Sequence, residues 1–216
     1  CITLETQGDL KAQLELDKAL WAQRSHWFVR EVLLMQGRVL KMLDVTARTF
    51  YALVLPGSCF GGSLLEFALT GDRIYMQNVA GNVLATSELN GGIFPMGHGL
   101  SRLENRFYQD KKAVEAVLAT RGKSLSAEEA EKVGLTTEIP DAIDWDDEVR
   151  VQIEERASLS PDALTGMEAN LRFAGPETME TRIFGRLSAW QNWIFTRPNA
   201  TGERGALTSY GKPTNA

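Results

Sequence analysis

The sequence predicts an α/β fold with a helical C-terminal appendage, and three observations predict it. A short apolar run, Tyr51–Leu55, leads through a glycine-rich turn into a helix and on to a second apolar run, Arg73–Gln77. Strand and helix patterns alternate as far as Pro140, and beyond Asp141 the pattern is helical throughout. At 216 residues the chain is long enough for one domain with a sizeable core, or for one domain with an appendage. We divide it into a core over residues 1–140 and a helical region with its tail over residues 141–216.

Ile2–Thr6 reads as a strand already under way at the first residue, so the core is expected to be truncated at its N-terminus; Gln7-Gly8-Asp9 is a turn. From Leu10 to about Leu43 there are few breakers and apolar residues recur at helical spacing, among them Leu14, Leu20, Trp21, Val29, Leu33 and Leu40. One straight helix of that length is unusual in a compact domain, so two helices parted near Ser25-His26 are expected. Strand Phe50–Leu55, a helix over Gly62–Leu69 and strand Arg73–Gln77 follow, and the run Gly91–Gly99 is a breaker-rich loop. Leu100–Ala119 reads as one helix. Ser126 with Glu128 and Glu129 marks a helix start, Gly134 its stop, and Leu135–Pro140 a short strand. Ser160-Pro161 opens a later helix, Arg197-Pro198 ends the last strong one, and the tail from Ala200 reads as irregular.

Composition narrows the function classes. At 44% hydrophobic and 24% charged the chain is an ordinary soluble globular protein, and no apolar run is long enough for a bilayer. The net charge of -5 argues against a general nucleic-acid binder. Cys1 and Cys59 are too few for a disulfide scaffold and fit no zinc spacing, while His26 and His98 lie far apart, so no metal is expected. No signal peptide is visible, which makes the cytoplasm the expected compartment.

The segment Pro56–Glu66 carries the chemistry. Glycines between a strand and a helix let a ligand approach the backbone, and the first amides of a helix have no internal partners. Glu66 lies about one turn inside that helix, the only carboxylate in the apolar stretch Leu64–Leu69, where burial would raise its pKa. Two readings stand side by side: these glycines and this glutamate form an anion-receiving catalytic mouth, or the glycines only permit tight turns and Glu66 is a solvated or salt-bridged helix residue. Cys59 is either a small buried apolar residue or a site-lining one. His98 reads as structural, and Trp190, Trp193 and Phe195 as packing, with a ring-binding wall or a subunit contact as the alternatives.

Three segments, in order, resemble the crotonase (enoyl-CoA hydratase/isomerase) superfamily: Gly57–Gly62 with Glu66 and Asp72-Arg73-Ile74; Ser87–Gly99; and Leu125–Ile139. The resemblance implies a spiral of ββα units. It also implies an oxyanion hole made by the amides of Gly8 and Gly62, catalytic carboxylates at Glu66 and Glu88, and substrate contacts at Ser58, Cys59 and Gly61. Three residues, Ser63-Leu64-Leu65, separate Gly62 from Glu66, one more than the family spacing. Beyond position 140, Ser158–Glu180 and Trp190–Phe195 resemble a ring-cleaving branch of that superfamily. This implies opening of an aromatic-ring epoxide carried as a CoA thioester, with loss of formate. The alternatives are a generic enoyl-CoA hydratase or isomerase, and a non-catalytic CoA-binding module. The implied partner is an acyl-CoA substrate, with no nucleic acid, no membrane and no separate cofactor, because CoA belongs to the substrate. A homo-oligomer, a dimer, is expected.

Overall fold

Three parallel strands frame the computed structural model, which describes residues 1–211. The strands are β1 (Ile2–Leu4), β2 (Phe50–Val54) and β3 (Arg73–Met76), with β2 in the centre. Thr3 pairs with Tyr51 and Tyr51 with Arg73. Every residue of β2 is buried, as in a strand covered on both faces. Alternation along the strand divides its side chains between two cores. Phe50, Ala52 and Val54 meet Ile74, Met76 and Leu65 in the larger one. Tyr51 and Leu53 join Tyr75, Trp145 and Val149 in the other.

Between β1 and β2 the chain runs as α1 (Leu10–Ala22) and α2 (Trp27–Asp44), parted where expected. Asp9 caps α1 by accepting the Lys11 N–H at 2.8 Å, and His26 caps α2 by accepting the Phe28 N–H on Nδ1 at 3.3 Å. After the glycine turn comes α3 (Ser63–Leu69), then β3, then the two-residue strand β4 (Leu84–Ala85) and a 3₁₀ turn over Glu88–Asn90.

The single helix expected over Leu100–Ala119 is two, α4 (Arg102–Arg106) and α5 (Lys111–Leu118). The chain turns at Gln109, whose φ of 69° is incompatible with helix, and Asp110 restarts it by accepting the Ala113 N–H at 3.0 Å. Strand β5 (Ser124–Leu125) pairs antiparallel with β4. Helix α6 (Ala127–Lys132) opens on a reciprocal Ser126–Glu129 cap. No strand forms over Leu135–Pro140. That stretch runs beside β3 through backbone hydrogen bonds from Thr137 to Ile74 and from Met76 to Glu138, with an isolated bridge between Glu138 and Tyr75.

The helical region holds α7 (Trp145–Ser158), α8 (Pro161–Leu171), a π-helical stretch over Thr181–Leu187, α9 (Ser188–Ile194), α10 (Pro198–Thr201) and α11 (Ala206–Ser209). The last two lie where an irregular tail was expected; residues 212–216 of that tail fall outside the described residues. Arg172 fastens the end of α8 to the core, donating to the Thr70 carbonyl at 3.3 Å and pairing with Asp72 at 3.4 Å, while Glu168 within α8 holds it at 2.8 Å. Trp190 and Trp193 stack with centroids 4.7 Å apart. Among the described residues no helix is long and apolar enough to cross a membrane.

Candidate functional site

A cleft of about 730 Å³ opens between α1, the β4–3₁₀ segment and the loop before β5. Leu10, Leu14 and Trp21 give it an apolar wall, and Lys11, Lys18 and Arg121 give it cations. Of the residues singled out from the sequence, Glu88 alone lines this cleft. The 3₁₀ turn presents it there: Ser87 accepts the Leu89 N–H at 3.1 Å, while Asn90 accepts the Ser87 N–H at 2.9 Å. Glu88 is half exposed and pairs with Arg121 at 3.5 Å.

Glu66 is placed differently. Its side chain is 2% exposed and points into the protein, where Oε1 accepts from Asn90 Nδ2 at 2.9 Å and Oε2 from Arg102 Nη1 at 3.2 Å. Burial pushes its carboxyl up to about 7, against the opposing pull of Asn90 and Arg102. The structure therefore does not bring Glu66 and Glu88 together around one open gap.

The two expected oxyanion donors are engaged inside the chain. The Gly62 N–H donates to Ala85 O and the Gly8 N–H to Gly57 O, each at 3.0 Å. The cause lies in the Gly62 backbone, whose φ of 49° and ψ of -111° turn its N–H onto β4 and its carbonyl onto Asn90 Nδ2, 2.9 Å away. Neither amide is free to hold a thioester oxygen in this conformation.

Ser58, Cys59 and Gly61 also face inward or elsewhere. Ser58 Oγ accepts the Leu55 N–H at 3.0 Å and borders a separate hollow beside Glu5 and Pro56. Cys59 is buried with its Sγ against Gly8. Gly61 lies under α1 so closely that a Cβ there would stand 2.5 Å from Leu10 Cδ1. His98 packs edge-on against Phe173 with centroids 5.2 Å apart.

Asp9, Glu15 and Asp17 share the cleft with Glu88, and of these Asp17, on α1, is the buried one. It is 1% exposed. Its Oδ2 accepts the Ser63 N–H at 2.7 Å and its Oδ1 accepts from Ser63 Oγ at 2.7 Å and Gln13 Nε2 at 3.0 Å. Ser87 Oγ lies 3.4 Å from Oδ2, so Asp17 bridges the start of α3 to the turn that carries Glu88. Burial raises its carboxyl above the usual range, against hydrogen bonds from Ser63, Ser87 and Gln13. A Cβ on Gly62 would collide with the Asp17 carboxylate, so the glycine makes room for this acid. The sequence does carry a signal for it: Asp17 stands on the stripe Leu10, Leu14, Trp21 of α1, where an apolar residue is the ordinary occupant.

Among the described residues no three His, Cys, Asp or Glu side chains are grouped as a metal site. A separate polar hollow of about 340 Å³ holds Arg102, Arg106, Arg156 and Arg172 together with Asp44, Asp72 and Glu168.

The chain is 57% identical over 215 residues to the benzoyl-CoA-dihydrodiol lyase of Aromatoleum evansii. The match covers 99% of this chain and 39% of the relative, so the chain spans about two fifths of that protein's length. Solved structures share the fold at low identity. An enoyl-CoA hydratase of Geobacillus kaustophilus superposes with a TM-score of 0.64 at 19% identity, covering 88% of this chain and 70% of that one. A Thermobifida fusca protein solved with acetoacetyl-CoA does so with a TM-score of 0.58 at 15% identity, covering 78% and 63%. The enoyl-CoA hydratase/isomerase family pattern itself matches residues 49–190, from the residue before β2 through to Trp190. With two thirds of its length inside that pattern and a fold shared with solved hydratases, the chain belongs to the enoyl-CoA hydratase/isomerase family.

Proposed function

We propose that this chain works as part of a benzoyl-CoA-dihydrodiol lyase. The reaction takes 2,3-epoxybenzoyl-CoA and water to an open-chain aldehyde CoA thioester and formate. The observation that carries the reading is the 57% identity over 215 residues to a protein of that name. The cleft supports it. Its volume of about 730 Å³ lies within the range of small-molecule sites, its apolar wall suits an aromatic-derived ring, and Lys11, Lys18 and Arg121 offer cations to the phosphates of CoA.

In this reading Glu88 acts on the water. Glu66 sets the field beneath the cleft from its buried pair with Arg102. For Gly8 and Gly62 to receive a thioester oxygen, their N–H bonds to Gly57 and Ala85 must first open. Removing one donor from an oxyanion hole costs about 2.7–4 kcal/mol in a transition state, so that rearrangement matters to the rate. The test is formate release from 2,3-epoxybenzoyl-CoA by the full natural chain, with crotonyl-CoA as the competing substrate. Formate appearing in step with thioester consumption is the expected result. Hydration of crotonyl-CoA with no formate from the epoxide overturns the reading in favour of a generic hydratase.

A further inference from the structure

We propose that Asp17 is a catalytic residue of this cleft, the acid that hands a proton to the leaving oxygen while Glu88 takes one from the attacking water. This inference rests on the functional reading above. Four carboxyl groups line the cleft, those of Asp9, Glu15, Asp17 and Glu88, and of these Asp17 alone is buried, tied through Ser87 to the turn that carries Glu88. Glu66, the acid expected from the sequence, is walled off behind Asn90 and Arg102.

The partners of the two buried acids separate their roles. Glu66 is held by an amide NH₂ and a guanidinium, which only donate, so its partners match the carboxylate alone. Asp17 is held in part by the hydroxyls of Ser63 and Ser87, which donate to a carboxylate and turn to accept from a carboxylic acid. Asp17 therefore keeps hydrogen-bond partners through a full cycle of losing and regaining a proton. Burial favours its neutral form, and Glu88, half exposed beside Arg121, stands in a wetter setting. Two carboxyls in contrasting environments are the usual basis for dividing acid from base.

The epoxide C–O bond breaks with its electron pair going to oxygen, and that oxygen takes the Asp17 proton. The water oxygen bonds to the ring carbon, and Glu88 takes the water proton. The ring then carries two hydroxyls, Asp17 is a carboxylate and Glu88 a carboxylic acid, and exchange with solvent restores both. Besides Asp17 and Glu88, the charged groups on the cleft wall are Asp9 just before α1, Lys11, Glu15 and Lys18 on α1, and Arg121 opposite.

The test compares kcat and KM against pH for the wild type, Asp17→Asn and Ser63→Ala in the full natural chain. Asp17→Asn is expected to lower kcat about a hundredfold or more with KM little changed, and to abolish the alkaline limb of the kcat profile. Ser63→Ala removes a donor that favours the Asp17 carboxylate, so it should move that limb to higher pH, which a purely structural acid would not do. If Asp17→Asn does not fold, the Ser63→Ala shift decides alone. An active wild type with an unmoved limb in Ser63→Ala, or with wild-type kcat in Asp17→Asn, overturns the inference and leaves the functional reading standing. A wild type that turns over neither epoxybenzoyl-CoA nor crotonyl-CoA overturns both.

Discussion

Arg102 holds the Asp44 carboxylate with two nitrogens, Nε at 3.2 Å and Nη2 at 2.6 Å, each side chain 1% exposed. The third nitrogen, Nη1, reaches Glu66 at 3.2 Å and the Phe94 carbonyl at 3.0 Å. One guanidinium thus joins the end of α2, the interior of α3 and the loop before α4. Such a buried cluster contributes little net stability over well-packed apolar groups, but removing one partner leaves uncompensated charge.

Arg102→Met should strand two buried carboxylates at once. The expected loss is about 3–5 kcal/mol, read as a fall in the urea midpoint. A midpoint within error of wild type would mean that Asp44 and Glu66 are held neutral without Arg102.

The buried acids also set how stability depends on pH. Burial pushes Glu66 up to about 7. Burial, and then the hydrogen bond with Glu168, pushes Asp72 up to about 7. Asp17 and Asp44 are raised by burial as well. Unfolded, these groups release their protons near ~4. Between that pH and about 7 the native state binds more protons than the unfolded one, so stability falls as pH rises through the window. Glu168 acts in the opposite sense. Against its burial, hydrogen bonds with Asp72, Thr49 and Arg172 hold its carboxyl low, and its contribution is lost only in stronger acid. The melting temperature should therefore drop from about pH 5 to about pH 7.5, and less steeply in Glu66→Gln. A melting temperature that climbs over this range contradicts the assignment.

What the sequence discloses divides along local and long-range lines. The break at His26, the glycine turn before α3, the cap at Ser126 and the proline-led helix start after Ser160 depend on neighbours a few residues away, and each stands where the pattern puts it, although the Ser160 side chain makes no cap bond. β4 and β5 are two residues each and pair across the chain, too short to show any period. The turn at Gln109 lies in a stretch with no glycine or proline to announce it. The site suffers most from this division. Asp44 and Arg102 are buried by a pairing that spans 58 residues, and Asp17, although it stands on the apolar stripe of α1, finds its Ser63 donor 46 residues away, so neither environment can be read locally. Glu66 is legible as a buried acid but not as one facing away from the cleft, because its direction is fixed by Asn90 and Arg102 in later segments.

Gly166 on α8 gives the Trp190 ring its seat, and a Cβ there would overlap the indole. Gly166→Ala should loosen α9 from α8 while the strand core, built from other residues, keeps its stability. Limited proteolysis is expected to cut between α8 and α9 faster than in wild type, with the main unfolding transition unchanged. Equal cutting rates would show that α8 can shift to accept the methyl group.

Gly62 and Asp17 can be tested as a pair. Gly62→Ala forces a Cβ into the Asp17 carboxylate and Ser87 Oγ, at a backbone φ of 49°. Strain of that kind costs about 1–3 kcal/mol before the collision is counted. Asp17→Ala alone frees the Ser63 N–H at the start of α3 and should cost about 1 kcal/mol or more, as the loss of a helix cap does. If the collision dominates the glycine requirement, the double variant should be more stable than the sum of the two losses predicts, because Asp17→Ala removes the obstacle that the alanine meets. If backbone strain dominates, the losses add. Urea unfolding of the four proteins in the cycle separates the two cases, and an additive cycle would mean that the glycine serves the turn rather than the acid beside it.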